Sequence, residues 1–145
     1  MSEAIPVFLP AVTGLSALEA ATAFAAAGFR VFPCFEIAQG TRASKTPRVP
    51  AWATTASCDA SVVAELWALA PDSAIGLPTG GLHPALQENE LVVVDVDVHR
   101  GDGFESFRVA QQELGSVPET FTVETPSGGQ HFYFLVPRGT DIRNS

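Results

Sequence analysis

Two aspartates, Asp95 and Asp97, lie two residues apart in residues 91–97, Leu-Val-Val-Val-Asp-Val-Asp. Side chains alternate along a β-strand with a period of two, so both carboxylates are expected on one face. Like charges on a buried strand require compensation by cations or hydrogen bonds. Mg²⁺ or Mn²⁺ is suited to this role, because hard cations bind carboxylate oxygens and often share them with phosphates. Asp95 and Asp97 are therefore the candidate metal ligands.

The same spacing also occurs where a strand ends and its acids cap a turn, here toward His99 and Gly101. Glycosyltransferases and phosphohydrolases use an Asp-x-Asp pair as well, so the pair by itself does not decide the function.

A second candidate is the segment 125–131, Thr-Pro-Ser-Gly-Gly-Gln-His. Its glycines, including Gly128, allow close backbone approach, Ser127 offers a hydroxyl, and His131 opens the next strand. Such a turn can receive phosphate oxygens. An ordinary hairpin with a surface histidine has the same composition. We interpret the other two histidines, His83 and His99, as surface residues.

Lys45 lies in a polar, proline-containing stretch, residues 36–50, that is typical of a loop. A flexible ammonium group ahead of a Trp-containing segment could reach a triphosphate as a point charge. Most exposed lysines are only solvated, which is the alternative here.

The elements that must position these residues alternate along the chain. Residues 91–97 are apolar and β-branched, which predicts a central strand buried on both faces. Shorter strands are predicted at residues 29–33, 74–77, 121–125 and 131–136. Ser16 and Glu19 have the spacing of a capping box for a helix that ends at Gly28, Asp59 can cap a second helix, and residues 104–114 form a third. We expect an α/β (α+β) fold with a central mixed sheet flanked by helices.

Composition adds general limits. The 145 residues suffice for one core, and the formal net charge of −8 does not favour general attraction to DNA. Cys34 and Cys58 have no metal-ligand spacing and are expected to be buried. The N-terminus lacks the basic region of a signal peptide and the Ala-rich run is too short to cross a bilayer, so we expect a cytoplasmic protein without a membrane partner.

Taken in order, these segments resemble the N-terminal domain of bifunctional DNA primase/polymerases, of the archaeo-eukaryotic primase superfamily. The resemblance rests on residues 28–34, 45–47 with 52–55, 75–80, 92–97, 125–134 and 142–145. It covers the chain from the Ala-rich helix to the end, and six segments in order make a chance match a poor explanation.

The resemblance implies metal-dependent, template-directed nucleotidyl transfer in plasmid, phage or prophage DNA replication. Asp95 and Asp97 would hold Mg²⁺ or Mn²⁺, and Ser127, Gly128 and His131 would contact the nucleotide's phosphates. His131 would belong to the catalytic set, and Lys45 to a nucleotide-facing loop. The implied partners are nucleoside triphosphates, DNA template and primer, and a helicase domain or protein.

The family pattern also predicts a third carboxylate shortly after the Arg-Asn-Ser segment at residues 143–145, where this sequence ends. We therefore expect a C-terminally truncated catalytic core, with residues 1–15 as an extension and 16–145 as the front part of the domain. Whether such a chain is an active enzyme stays open. The alternatives are a non-catalytic nucleotide- or DNA-binding module of a mobile-element replication protein, and an unrelated Asp-x-Asp glycosyl- or phosphotransferase.

Overall fold

A computed structural model describes residues 5–35, 46–80, 83–97, 102–114, 118–125 and 128–140. The chain forms two compact units. The middle unit is Leu9–Gln87, and the terminal unit combines Met1–Phe8 with Glu88–Ser145.

The longer helices of the middle unit begin where the sequence predicts. Helix α1 spans Ala17–Ala26; the Ser16 hydroxyl accepts from the Glu19 N–H at 3.1 Å, and the Glu19 carboxylate accepts from the Ser16 N–H at 3.1 Å. The hydrogen bond from the Ser16 backbone N–H is the largest cause of the lowered pKa of Glu19. Helix α3 spans Ala60–Ala68, and the Asp59 carboxylate accepts from the N–H groups of its first turn. Both predicted caps are confirmed.

The strands of the middle unit are short. Strand β2, Phe32–Cys34, pairs antiparallel with β3, Ala74–Gly76, and between them lies the four-residue helix α2, Trp52–Thr55. Strand β2 starts later than predicted, because Val31 forms an isolated bridge with Ser57 instead of joining β3. A 3₁₀ turn follows at Pro84–Leu86. The core contains Val31, Val63 and Trp67, which are fully buried.

His83 is not the surface residue that the sequence predicted. It is 3% exposed, its Nδ1 accepts from the Arg30 backbone N–H at 2.9 Å, and its Nε2 lies 2.7 Å from the Pro78 carbonyl. Nδ1 must be unprotonated to accept, so Nε2 carries the proton and donates a hydrogen bond to the Pro78 carbonyl oxygen. Burial is the largest cause of the lowered pKa of His83. The residue is a neutral structural link between distant segments. His99 lies outside the described residues.

Of the two thiols, Cys34 is buried as expected, and burial raises its pKa. Cys58 is only half-buried, so the expectation of full burial is wrong for this residue.

The terminal unit is built on a four-stranded antiparallel sheet. Its strands are β1, Ile5–Pro6, β4, Asn89–Val96, β5, Thr122–Glu124, and β6, Gln130–Pro137. Strand β6 is central: it pairs with β4 along one edge, and with β1 and β5 on the other. The Thr120 hydroxyl accepts from the Val7 N–H at 3.0 Å, which ties the chain after β1 to the approach of β5.

Two expectations about this sheet are corrected. Strand β4 lies at an edge of the described sheet and most of its residues are only half-buried, with Asp95 exposed, so it is not a central strand buried on both faces. All described strand pairs are antiparallel, where a mixed sheet was expected. The α+β class itself is confirmed. The apolar run of β4 resembles a buried parallel strand only because its valines line both sides.

Helix α4, Gly103–Leu114, covers one face of this sheet. The ring of Phe107 stacks on Phe132 of β6, with centroids 5.0 Å apart. Phe132 pairs with Val94, whereas its neighbour His131 pairs with Asp95. Helix α4 therefore packs on the face of the sheet opposite to that of Asp95 and His131. Within the described ranges, no helix combines the length and the apolar character that a membrane crossing requires.

Candidate active site

Asp95 and His131 lie directly opposite each other on β4 and β6. Directly paired residues of antiparallel strands project from the same face of the sheet. Asp95 Oδ1 lies 3.4 Å from His131 Nε2, a distance longer than a usual N–H···O hydrogen bond but short enough for an ion pair when the imidazole is protonated. The register of the two strands thus joins the two segments that the sequence analysis selected.

Asp97 follows the last residue of β4 and is exposed, as is Asp95, whereas the intervening Val96 is buried. This alternation is that of a strand, so both carboxylates project toward the face of His131. The Asp95 side chain is 61% exposed and that of His131 is 36% exposed. The premise that these charges are buried is therefore wrong, and water already screens much of their mutual repulsion.

The turn before His131 is held by Thr125. Its hydroxyl accepts from the Gly129 N–H at 3.0 Å, and its own N–H donates to the Gly129 carbonyl at 2.9 Å. Gly128 has a φ of 91°, a left-handed conformation that favours glycine. A Cβ atom on Gly129 would overlap the carbonyl oxygen of Val96. The hairpin thus packs directly against the strand that carries the aspartates.

Helix α4, which follows β4 in the sequence, begins in contact with the end of the acidic pair. A Cβ atom on Gly103 would overlap the backbone of Asp97. The glycine at the first position of α4 therefore permits close contact with the residue that ends the acidic pair.

Two neighbours of His131 complete the described face. Val123 of β5 pairs with His131 on the side opposite Asp95. Tyr133 lies two residues further along β6, so it projects to the same face, and its ring meets Phe121 edge-on at 5.3 Å. Burial raises the pKa of Tyr133 above its ordinary value of 10.

The model of one protein family, described as "Bifunctional DNA primase/polymerase, N-terminal", matches residues 21–145. The chain belongs to this family. No curated protein and no solved structure matches the chain. Five of the six segments that suggested the family are described at least in part, and residues 142–145 are not.

Not every predicted site residue of this primase/polymerase domain is in the described part. Lys45 and Ser127 lie outside it, whereas Asp95, Asp97, Gly128 and His131 lie within it. The described residues contain no group of three or more histidine, cysteine, aspartate or glutamate side chains that could hold a metal ion.

Sequence reasoning missed the supporting residues Gly103, Thr125 and Tyr133. For Tyr133 a signal existed, because its spacing of two from His131 predicts a common face. Thr125 precedes the turn glycines, which is a common place for a hydroxyl that stabilises a turn. The close approach of Gly103 to Asp97 depends on tertiary packing and had no local signal.

Proposed function

We propose that this primase/polymerase domain is a nucleotidyl transferase that adds nucleotides to a primer opposite a DNA template. The observation that carries the proposal is the contact of Asp95 with His131 on an exposed face that also receives Asp97. Carboxylates and an imidazole that face solvent together can receive a cation-bound triphosphate.

The side chains fit Mg²⁺ or Mn²⁺. Asp95 and Asp97 supply only oxygen donors, which these hard ions prefer, and both are exposed enough to exchange water for a cation. A carboxylate has two oxygens, so a contact of Asp95 Oδ1 with His131 leaves Oδ2 for a metal. When bound, the ion would neutralise phosphate charge and favour ionisation of the primer 3′-hydroxyl.

The residues of the chain then act by binding and orientation. In nucleotidyl transfer the 3′-oxygen bonds to the α-phosphorus while the bond to the leaving pyrophosphate breaks. His131 donates a hydrogen bond to a phosphate oxygen, and Asp95 orients its ring. Gly128 lets the turn backbone approach the phosphates. The family resemblance adds the hydroxyl of Ser127 and the ammonium of Lys45 as phosphate contacts, and both residues lie outside the described part of the chain.

Binding tests the site independently of turnover. Calorimetric titration of the chain with a deoxynucleoside triphosphate and Mn²⁺ is expected to give saturable binding. Asp95→Asn or Asp97→Asn should weaken it by at least about ten-fold, as is usual when a metal site is altered. Asp72→Asn, which changes an exposed carboxylate of the middle unit, is the matched control and should bind normally. Equal binding by all variants would remove the two aspartates from the site.

Gel analysis of extended primers then separates catalysis from binding. Template-dependent products that disappear in Asp95→Asn and Asp97→Asn support the enzyme. Saturable, aspartate-dependent binding without any product would support the non-catalytic nucleotide-binding module instead.

We further propose that the chain acts in the replication of plasmid, phage or prophage-type DNA in the cytoplasm. Its partner there would be a helicase domain or protein. The support for this part of the proposal is the family to which the chain belongs. Co-purification of the chain with a helicase encoded by the same replicon tests this part.

A further inference from the structure

Trp52 of the middle unit combines a fixed position with an exposed surface. Its ring lies on that of Phe32, with centroids 4.9 Å apart and an angle of 31° between the planes. Phe32 is buried with Cys34 and Ala56, so Trp52 has a rigid apolar support. The tryptophan nevertheless remains 40% exposed. A large aromatic ring that packs on a buried residue and still exposes surface to solvent can stack with a planar partner.

The backbone around Trp52 is held in place by Arg30. Its guanidinium donates from Nε to the Ala56 carbonyl at 3.1 Å and from Nη2 to the Ala53 carbonyl at 2.6 Å. Ala51, immediately before Trp52, has a φ of 50° and a ψ of 42°, a left-handed conformation that alanine rarely adopts. Such conformations persist where the surroundings enforce them, and they cluster at functional sites. The ring is therefore presented in a pre-organised position.

The sequence between Glu36 and Asp59 is basic. Residues 37–58 contain three basic residues and no acidic one, in a protein of net charge −8. Of these three, Arg48 lies within the described part of the chain, and its guanidinium carbon is 4.3 Å from the centroid of the Phe35 ring. Positive charge attracts phosphates and exposed aromatic rings stack on bases, a combination typical of proteins that bind single strands.

We propose that Trp52 is a stacking platform for a base of single-stranded DNA. Stacking requires a base that is free of its own neighbours, so a single strand fits and an intact duplex does not. The basic sequence that precedes Trp52 favours a polyanion over an uncharged apolar peptide. We take this single strand to be the template, and that identification rests on the proposed function. The stacking itself does not, because it requires neither nucleotide nor metal.

Intrinsic fluorescence tests this directly, because the chain has only two tryptophans. Trp67 is fully buried and donates from Nε1 to the Ser73 carbonyl at 3.0 Å, so it serves as an internal reference. Oligodeoxythymidylate, added without nucleotide or divalent cation, is expected to quench part of the emission of the wild-type chain. The emission of Trp52→Phe, which comes from Trp67 alone, should stay unchanged.

Affinity provides the second readout, measured as the fluorescence anisotropy of a labelled oligonucleotide. Trp52→Ala should raise Kd on the order of ten-fold, the usual effect of losing one stacked base. Trp52→Phe keeps a ring against Phe32 and should raise Kd by a smaller factor, which preserves the test if the alanine variant does not fold. Leu69→Ala is the matched control, since Leu69 is the most exposed large apolar residue of the same unit.

The inference would be overturned if the oligonucleotide still quenched the emission of both Trp52 variants and bound them with wild-type affinity. Equal affinity for duplex and single-stranded DNA would overturn it as well. If Trp52 proves irrelevant while synthesis still depends on Asp95, only this inference fails. If quenching depends on Trp52 while the aspartate variants bind nucleotide normally, only the proposed function fails.

Discussion

At the scale of single residues, the contact of Asp95 with His131 is a consequence of strand register. A shift of one residue between β4 and β6 would move His131 to the opposite face. The period of two predicts from sequence that Asp95 and Asp97 share a face, because this depends only on local geometry. The pairing of Asp95 with His131 depends on residues 36 positions apart, so only the resemblance to the family suggested it.

His83 shows the same limit for buried polar residues. Its partner Arg30 is 53 residues away in the sequence and its partner Pro78 is 5 residues away. No local sequence pattern distinguishes a buried imidazole from an exposed one. Its burial nevertheless has a measurable consequence for stability.

We predict that the free energy of unfolding falls as the pH drops below the ordinary His pKa of 6.5. The pKa of folded His83 is lowered, so between the folded and unfolded values the unfolded chain binds more protons. The stabilisation is complete above pH 6.5 and is lost as the pH falls toward the folded pKa. Urea unfolding of the wild type and His83→Gln across this window measures it. Glutamine does not titrate, so the variant should show a shallower decline; equal slopes would contradict the prediction.

We also predict that His83→Ala destabilises the chain by about 1–3 kcal/mol at neutral pH, because it removes the buried partner of the Arg30 N–H. Urea unfolding gives the value. The exposed control Leu69→Ala should change the free energy of unfolding by less than about 0.5 kcal/mol.

At the scale of elements, prediction succeeded where the signals were local. Ser16 with Glu19 and Asp59 start helices through hydrogen bonds that span two or three residues, so the sequence contains the whole cause. Strand β4 was predicted as a strand, but not its place at the sheet edge, because edge or centre depends on which other strands arrive beside it.

Helix α4 and strand β4 meet at Gly103 and Asp97, and this contact yields a prediction. Gly103→Ala should favour the helix by up to about 1 kcal/mol from propensity alone. The added Cβ, however, would overlap the Asp97 backbone and displace the carboxylate. We expect weaker Mn²⁺-nucleotide binding, measured by calorimetry, in a chain that still folds. Ser106→Ala at an exposed position of the same helix is the control. A Gly103→Ala variant that binds as the wild type does would exclude the contact from a positioning role.

At the scale of the whole molecule, charge is divided unequally between the two units. The terminal unit contains eleven acidic and four basic residues, and the middle unit five acidic and four basic. The total charge follows from the composition. That the acidic residues are concentrated in the unit with Asp95 and Asp97 becomes visible only once the boundaries of the two units are known. The acidic unit is the one expected to respond to cations.

Thermal unfolding should report this response. Mn²⁺ at millimolar concentration is expected to raise Tm by more than NaCl of the same ionic strength, because specific binding to the folded state adds to screening. The excess should vanish in the Asp95→Asn, Asp97→Asn double variant. An excess that persists in the double variant would assign the cation effect to other acidic residues.

The most direct measurement of the central claim is the NMR signal of the His131 imidazole during titration with paramagnetic Mn²⁺ and a deoxynucleoside triphosphate. The signal is assigned by its absence in His131→Gln. If one metal-triphosphate site is shared by Asp95, Asp97 and His131, the His131 signal should broaden strongly at substoichiometric Mn²⁺. This broadening should be abolished in the Asp95→Asn, Asp97→Asn double variant. A His131 signal that stays sharp as nucleotide and Mn²⁺ saturate, or that broadens equally without the aspartates, would contradict the shared site.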